Sequence, residues 1–103
     1  MKGGKERFNQ LNTELNQVFQ KLENVQELKP DHEVVQDLIA SHHRIILQFW
    51  GVEDQNDLRL DVYRGLGETY VSDKRFKLVN NEHSPSLANF IRDAINIYVD
   101  QQS

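Results

Sequence analysis

"HEVVQDLIASHHRIILQFW", residues 32–50, decides the fold. Val34, Val35, Leu38, Ile39, His42, Ile45, Ile46 and Phe49 return at three- and four-residue intervals. That is the period of a helix burying one face, and the stripe is wide. The spacing predicts a helix from about His32 to Trp50, the most buried of the chain. Pro30 breaks whatever precedes it, Asp31 is a candidate cap, and Gly51 ends it. His42 lies on the apolar stripe, where a hydrogen-bonded core histidine is the commoner outcome. His43, about 100° further round, is expected to be exposed. Two histidines so placed cannot easily chelate one ion, and "HEVVQ" at His32 lacks the second histidine of a zincin. No metal and no cofactor are expected.

Upstream, Phe8, Leu11, Leu15, Val18, Phe19, Leu22 and Val25 repeat the same spacing and predict a helix over residues 5–28. Met1 to Gly4 reads as a disordered start or domain-boundary remnant, so the folded domain is residues 5–103. Downstream, "GVEDQND" is a polar connection in which Asp54 or Asp57 caps a third helix marked by Leu58, Val62, Leu66 and Tyr70. Ser72 or Asp73 stops it, and "DKRFKLVNN" (73–81) reads as a short helix of about two turns. "HSPSLANF" opens the last helix, with Ser84 as cap and Pro85 in the first helical position. Leu87, Phe90, Ile91, Ala94, Ile95 and Tyr98 form its stripe. Strand alternation appears nowhere at useful length. The expected fold is all-α with about five helices.

Composition narrows the function. The chain of 103 residues fits one domain, and its net charge of −4, with twelve scattered basic residues, argues against direct nucleic-acid contact by this segment. There is no cysteine, which removes disulfides and thiolate chemistry. No apolar run approaches the roughly 18 residues of a membrane span, and no signal-peptide core is present. A soluble cytoplasmic domain without membrane contact is expected. No serine has a base and an orienting acid at recognisable spacing, so no enzyme is expected.

"YRGLGETYVSDKRF", residues 63–76, puts Gly65 and Gly67 inside a helix, where each costs about 1 kcal/mol against alanine. This is no dinucleotide loop, since the third glycine would fall at Tyr70 and no strand precedes it. The two glycines point about 200° apart and cannot share a neighbour. Gly67 is expected against another helix, and Gly65 is not. Among the aromatics, Trp50, Tyr63 and Tyr70 are of the amphipathic kind that lines a cleft for a large flat ligand. Asp73 with Arg75 fits a helix cap followed by a surface ion pair.

As a block, "YRGLGETYVSDKRF" resembles the signature of the TipAS-type antibiotic-recognition domain, the effector domain of certain MerR-family transcription regulators. "SHHRIILQFW" (41–50) and "PSLANFIRDAINIY" (85–98) are similar to two further blocks of that family, in its order and with its spacing. The resemblance implies a globin-like helical arrangement without haem. It also implies a cleft for bulky antibiotics of the thiopeptide or albicidin class. Carried over, it makes His42, Phe49, Trp50, Tyr63, Leu66, Tyr70 and Phe76 candidate ligand residues, and gives Gly67, Asp73 and Arg75 a structural part in the turn. Trp50, Tyr63 and Tyr70 would stack on or wall the ligand, and His42 would offer a polar contact.

Three departures from the family pattern stand out. The missing cysteine closes the covalent capture some thiopeptide sensors use. Ile45 stands where the family has an aromatic, and Ser86 where it usually has glycine. The family's further N-terminal helices would precede residue 1, as would a DNA-binding domain, so an open, half-built cleft is expected. The alternative function is a helical interaction or oligomerisation module, a homodimer for instance, in which the stripe of residues 5–28 pairs with another chain.

Overall fold

The computed structural model describes residues 2–79 and 82–102. Four helices carry the fold: α1 (Lys2–Asn24), α2 (Glu33–Phe49), α3 (Leu60–Ser72) and α4 (Pro85–Gln102). Among the described residues there is no strand, and the chain is all-α. α4 touches each of the other helices, most extensively α3, while α1 lies chiefly on α2. Leu87, Ala88, Ile91, Ala94 and Ile95 on α4 are fully buried, with Val35 and Ile39 of α2 and Leu22 of α1. The centre of the core is therefore α4, rather than α2 as its wide stripe suggested.

The ends of the helices show local chemistry at work. α1 stops at Asn24, not near residue 28, because its last turn tightens. Gln26 N–H bonds Glu23 O at 3.2 Å and Leu28 N–H bonds Val25 O at 2.9 Å. Pro30 disfavours helical geometry at the residue before it, which holds the chain in this turn. His32, not Asp31, caps α2: its Nδ1 accepts the Val34 N–H at 3.0 Å. Gly51 closes α2 with φ +72°. There Gly51 N–H bonds Gln48 O at 3.1 Å and Val52 N–H bonds Leu47 O at 3.0 Å, the paired bonds of a Schellman turn.

α3 starts without the expected aspartate. Asp54 spends its carboxylate on Asn56 N–H at 2.9 Å, capping a turn inside the connection. Arg59, at φ 47°, occupies the cap position without a side-chain capping bond, its guanidinium instead pairing with Asp57. The buried face of α3 is Tyr63, Gly67 and Tyr70, while Val62 is 56% exposed. A strict four-residue repeat drifts by about 40° per step against a 3.6-residue helix, so the stripe Leu58–Val62–Leu66–Tyr70 cannot stay on one face.

The expected short helix over 73–81 does not form. Asp73 ends α3, and Asp73 Oδ1 accepts the Arg75 N–H at 3.0 Å. The chain then runs to an isolated antiparallel bridge between Val79 and Glu82, with Leu78 N–H on Glu82 O at 3.1 Å. Two helical turns rarely offset the cost of nucleation, and here Leu78 and Val79 reach the core without them. Asn80 and Asn81 of that segment lie outside the described residues. α4 begins as the sequence indicates: Ser84 Oγ accepts the Leu87 N–H at 3.4 Å, with Pro85 next.

Gly67 is where α3 and α4 meet. A Cβ there would stand 3.3 Å from Ile95 Cδ1 and 3.4 Å from the Arg92 Cα, whereas one at Gly65 would meet nothing within 4 Å. The close approach explains the one glycine, and no packing requires the other.

Candidate functional site

α2 and α3 face one another across a layer of rings. His42 on α2 is fully buried, and its Nδ1 lies 2.7 Å from Tyr63 Oη and its Nε2 3.1 Å from Tyr70 Oη. Tyr63 also donates to Ile39 O at 3.2 Å. That donation fixes the rest. With its proton on Ile39 O, Tyr63 must accept from His42 Nδ1–H, so Nε2 is bare and accepts the Tyr70 O–H. Every polar atom of the trio is satisfied with His42 neutral.

His43 makes a second, parallel set. Its Nε2 lies 2.8 Å from Leu58 O, an atom that only accepts, so Nε2 carries the proton. Nδ1 is then bare and takes the Tyr98 O–H at 3.0 Å. His43 is 2% exposed, against the expectation that it faces solvent. The correction has a simple cause: α2 is covered on one side by α1 and on another by α4 and the connection, so residues 100° apart can both be inside. The His43 ring stacks on Tyr63 with centroids 4.4 Å apart and an interplanar angle of 30°, joining the two sets.

Burial sets the electrostatics. It pulls the His42 imidazole down to about 3, with the neighbouring His43 adding to the effect. It lowers His43 too, opposed by the bond to Leu58 O. The Tyr63 and Tyr70 hydroxyls are pushed up by the same desolvation. The cluster is thus uncharged at neutral pH, a set of fixed dipoles rather than an acid–base pair. Among the described residues, no group of three or more His, Asp or Glu is placed to hold a metal ion.

The other sequence candidates fall into two places. Phe76 joins the seam, edge-on to Tyr70 at 5.2 Å, and Leu66 packs half-buried against the core. Phe49 and Trp50 lie at the far end of α2, half-buried, where Phe8 of α1 meets Phe49 edge-on at 5.6 Å. Asp73 and Arg75 clasp at the end of α3, with Arg75 Nη2 2.8 Å from Asp73 Oδ2 and Nε 2.9 Å from Oδ1. The Arg75 bonds hold the Asp73 carboxyl down at about 2.

Against the expectation of an open, half-built cleft, the seam between α2 and α3 is closed. Phe19 of α1 covers it, 5.5 Å from His42 and 5.8 Å from Tyr70. Sequence reasoning left out Phe19, His43 and Tyr98 as members of this cluster. The available signal was Tyr98 on the α4 stripe: a buried tyrosine needs a partner for its hydroxyl, and His43 was a candidate.

Among the described residues, several grooves lie away from the seam. One groove of about 300 Å³ runs between α1 and α2, lined by residues including Glu14, Lys21, Arg44 and Gln48. A second, of about 420 Å³, lies over the other flank of α2, floored by His43, Leu47, Val52, Leu58 and Tyr98. A third, of about 440 Å³, lies at the start of α3 beside Arg59 and Val99. None of the three is lined by any of the seven candidate ligand residues.

The family model described as the TipAS antibiotic-recognition domain matches residues 1–98. The HTH-type transcriptional activator mta of Bacillus subtilis (strain 168) is 38% identical over 73 residues, 71% of this chain and 26% of that protein. The chain therefore spans about a quarter of the length of this relative. No solved structure matches.

Proposed function

Because the chain belongs to the TipAS antibiotic-recognition family, we propose that it recognises a bulky antibiotic-like small molecule non-covalently. It does so as the effector domain of a MerR-type transcription regulator or as a stand-alone drug-binding protein. The seam of rings between α2 and α3 carries this reading. His42, Tyr63, Tyr70 and Phe76 converge there from three segments. Rigid aromatic faces with a few fixed polar atoms are what a large heterocyclic ligand needs.

Thiopeptides and albicidin-like compounds are the proposed ligand class. With no cysteine in the chain, the contact rests on stacking and hydrogen bonds. α1 is the proposed cover, since Phe19 closes the seam and Phe8 closes on Phe49. Lifting α1 uncovers Tyr70 and His42 together with Phe49. In a regulator, that movement is the signal passed to a DNA-binding domain in the cytoplasm, and no catalytic step is involved. The similarity to a helix-turn-helix activator supports such a partner.

Titrating a panel of thiopeptides and albicidin-like compounds tests this. Trp50 is the single tryptophan, so its fluorescence and the melting temperature both report. A change in either with one compound class is expected. No change with any bulky heterocycle at high micromolar concentration overturns the proposal. One observation favours the second reading, an oligomerisation module: Phe8 is 53% exposed at the end of α1. Light scattering decides that question, since a strict monomer at every concentration removes it.

A further inference from the structure

The groove on the far flank of α2 has a chemical bias of its own. Its floor is Leu47, Val52, Leu58 and the rings of His43 and Tyr98, and its volume is about 420 Å³. That is within the range of small-molecule sites, sized for one or two linked rings rather than a whole macrocycle. The hydrogen-bond roles established for the floor determine what it can recognise. His43 has no capacity left, because Nε2–H goes to Leu58 O and Nδ1 takes the Tyr98 O–H. Tyr98 has given its proton away, so its oxygen can only accept.

The charges on the rim lean the same way, two acids to one cation. Glu53 and Asp54 stand on the connection after α2, and both carboxylates only accept. On the α2 wall, Arg44 directs an N–H to Ser41 Oγ at 3.1 Å, and Gln48 directs its Nε2 to Arg44 O at 3.3 Å. One donor of each is thus turned along the helix. What remains toward the groove is an aromatic and apolar floor, the mixed amide of Gln55, and two acids against the single charge of Arg44, which also acts on the Tyr98 hydroxyl.

From this we infer that the groove is a subsite for a planar aromatic group bearing a cationic nitrogen donor, an amidinium- or ammonium-substituted ring of a larger small molecule. The ring lies over Leu58 and Tyr98, its N–H groups reach the Tyr98 oxygen, and its charge faces Glu53 and Asp54. The inference rests on the small-molecule reading above and deepens it, naming a feature by which ligands are sorted. It also links the groove to the seam, because His43 under the floor stacks on Tyr63.

Three probes of one shape test it: naphthamidine, naphthamide and naphthoate, each titrated into the full chain while backbone amide NMR shifts are followed. The expected order of affinity is amidine, then amide, then carboxylate, with the shifts centred on Val52, Leu58 and Tyr98. Glu53 is exposed and, among the described residues, in no salt bridge. Glu53→Gln should leave the fold intact and weaken naphthamidine about two- to five-fold, the range an exposed ion pair carries, without affecting naphthamide. Equal binding of the three probes, preference for naphthoate, shifts confined to Phe8 and Trp50, or no binding of naphthamidine would each overturn the subsite. If that happens while an antibiotic still shifts the melting temperature, the recognition function stands and only the subsite falls. If no antibiotic binds, the broader reading falls instead.

Discussion

The seam between α2 and α3 and the patch at the far end of α2 hold the same kinds of side chain and put them to opposite use. In the seam, His42, Tyr63 and Tyr70 are buried and every polar atom has a partner. In the patch, Phe8 and Phe49 meet edge-on beside Trp50 in sequence, and Phe8 is largely in water. The difference teaches that aromatic residues do not mark a ligand site by type alone. Where hydroxyls and imidazoles close a complete circuit, the rings specify a fixed geometry and resist change. Where no polar atom locks them, they are free to adapt. A ligand that uses both must open the first by way of the second, and α1 lies over both.

The comparison predicts a steep gradient of mutational cost. His42→Ala removes a ring packed among Phe19, Tyr63 and Tyr70 and leaves the Tyr70 hydroxyl buried without its acceptor. It should cost about 2–5 kcal/mol in a urea unfolding experiment, the range for large buried truncations. A loss near zero would show that the seam is not the locked region.

Acid should strain the seam and spare the patch. His42 has its pKa lowered to about 3, so the folded state binds fewer protons than the unfolded chain between that value and about 6.5. The stabilisation is therefore present above pH of about 6.5 and is lost as the pH falls toward 3. At about 1.4 kcal/mol per unit, His42 alone accounts for about 2 kcal/mol lost on going from pH 7 to pH 5. His43, shifted the same way, adds to it. Urea midpoints at the two pH values measure this, and a His42→Gln variant should show a shallower dependence.

The two glycines sharpen the contrast on a single helix. Gly67→Ala presses a methyl onto Ile95 and the α4 backbone at Arg92 and should destabilise by about 1–3 kcal/mol, typical of overpacking. Gly65→Ala meets nothing and should stabilise by about 0.4–1 kcal/mol. Thermal melts of the pair should move in opposite directions. The smallest effect belongs to the patch: Phe8→Ala should cost no more than about 1 kcal/mol, the worth of one edge-on aromatic pair.

Much of this was legible in the sequence. The four long helices follow from apolar spacing, and Ser84–Pro85 and Gly51 mark ends that depend on local chemistry. His42 as a hydrogen-bonded core residue and Gly67 as a crossing point were both readable, because each needed only its own helix face. What escaped depends on partners far along the chain. The burial of His43 is set by Leu58 and Tyr98, and the loss of the short helix by the Asp73–Arg75 clasp and the Val79–Glu82 bridge. The phase of α3 escaped because a four-residue repeat was a poor guide to a 3.6-residue helix. The closed seam escaped because Phe19 looked like any other residue of the α1 stripe.

The central claim is that a bulky ligand enters the seam by displacing α1. Amide NMR of the chain titrated with a thiopeptide, or an albicidin-like compound if the panel favours it, tests this most directly. The account predicts saturable shifts at His42, Tyr63 and Tyr70 together with Phe19 and the inner face of α1. Shifts confined to Phe8, Phe49 and Trp50, with the seam unchanged at saturation, would contradict it.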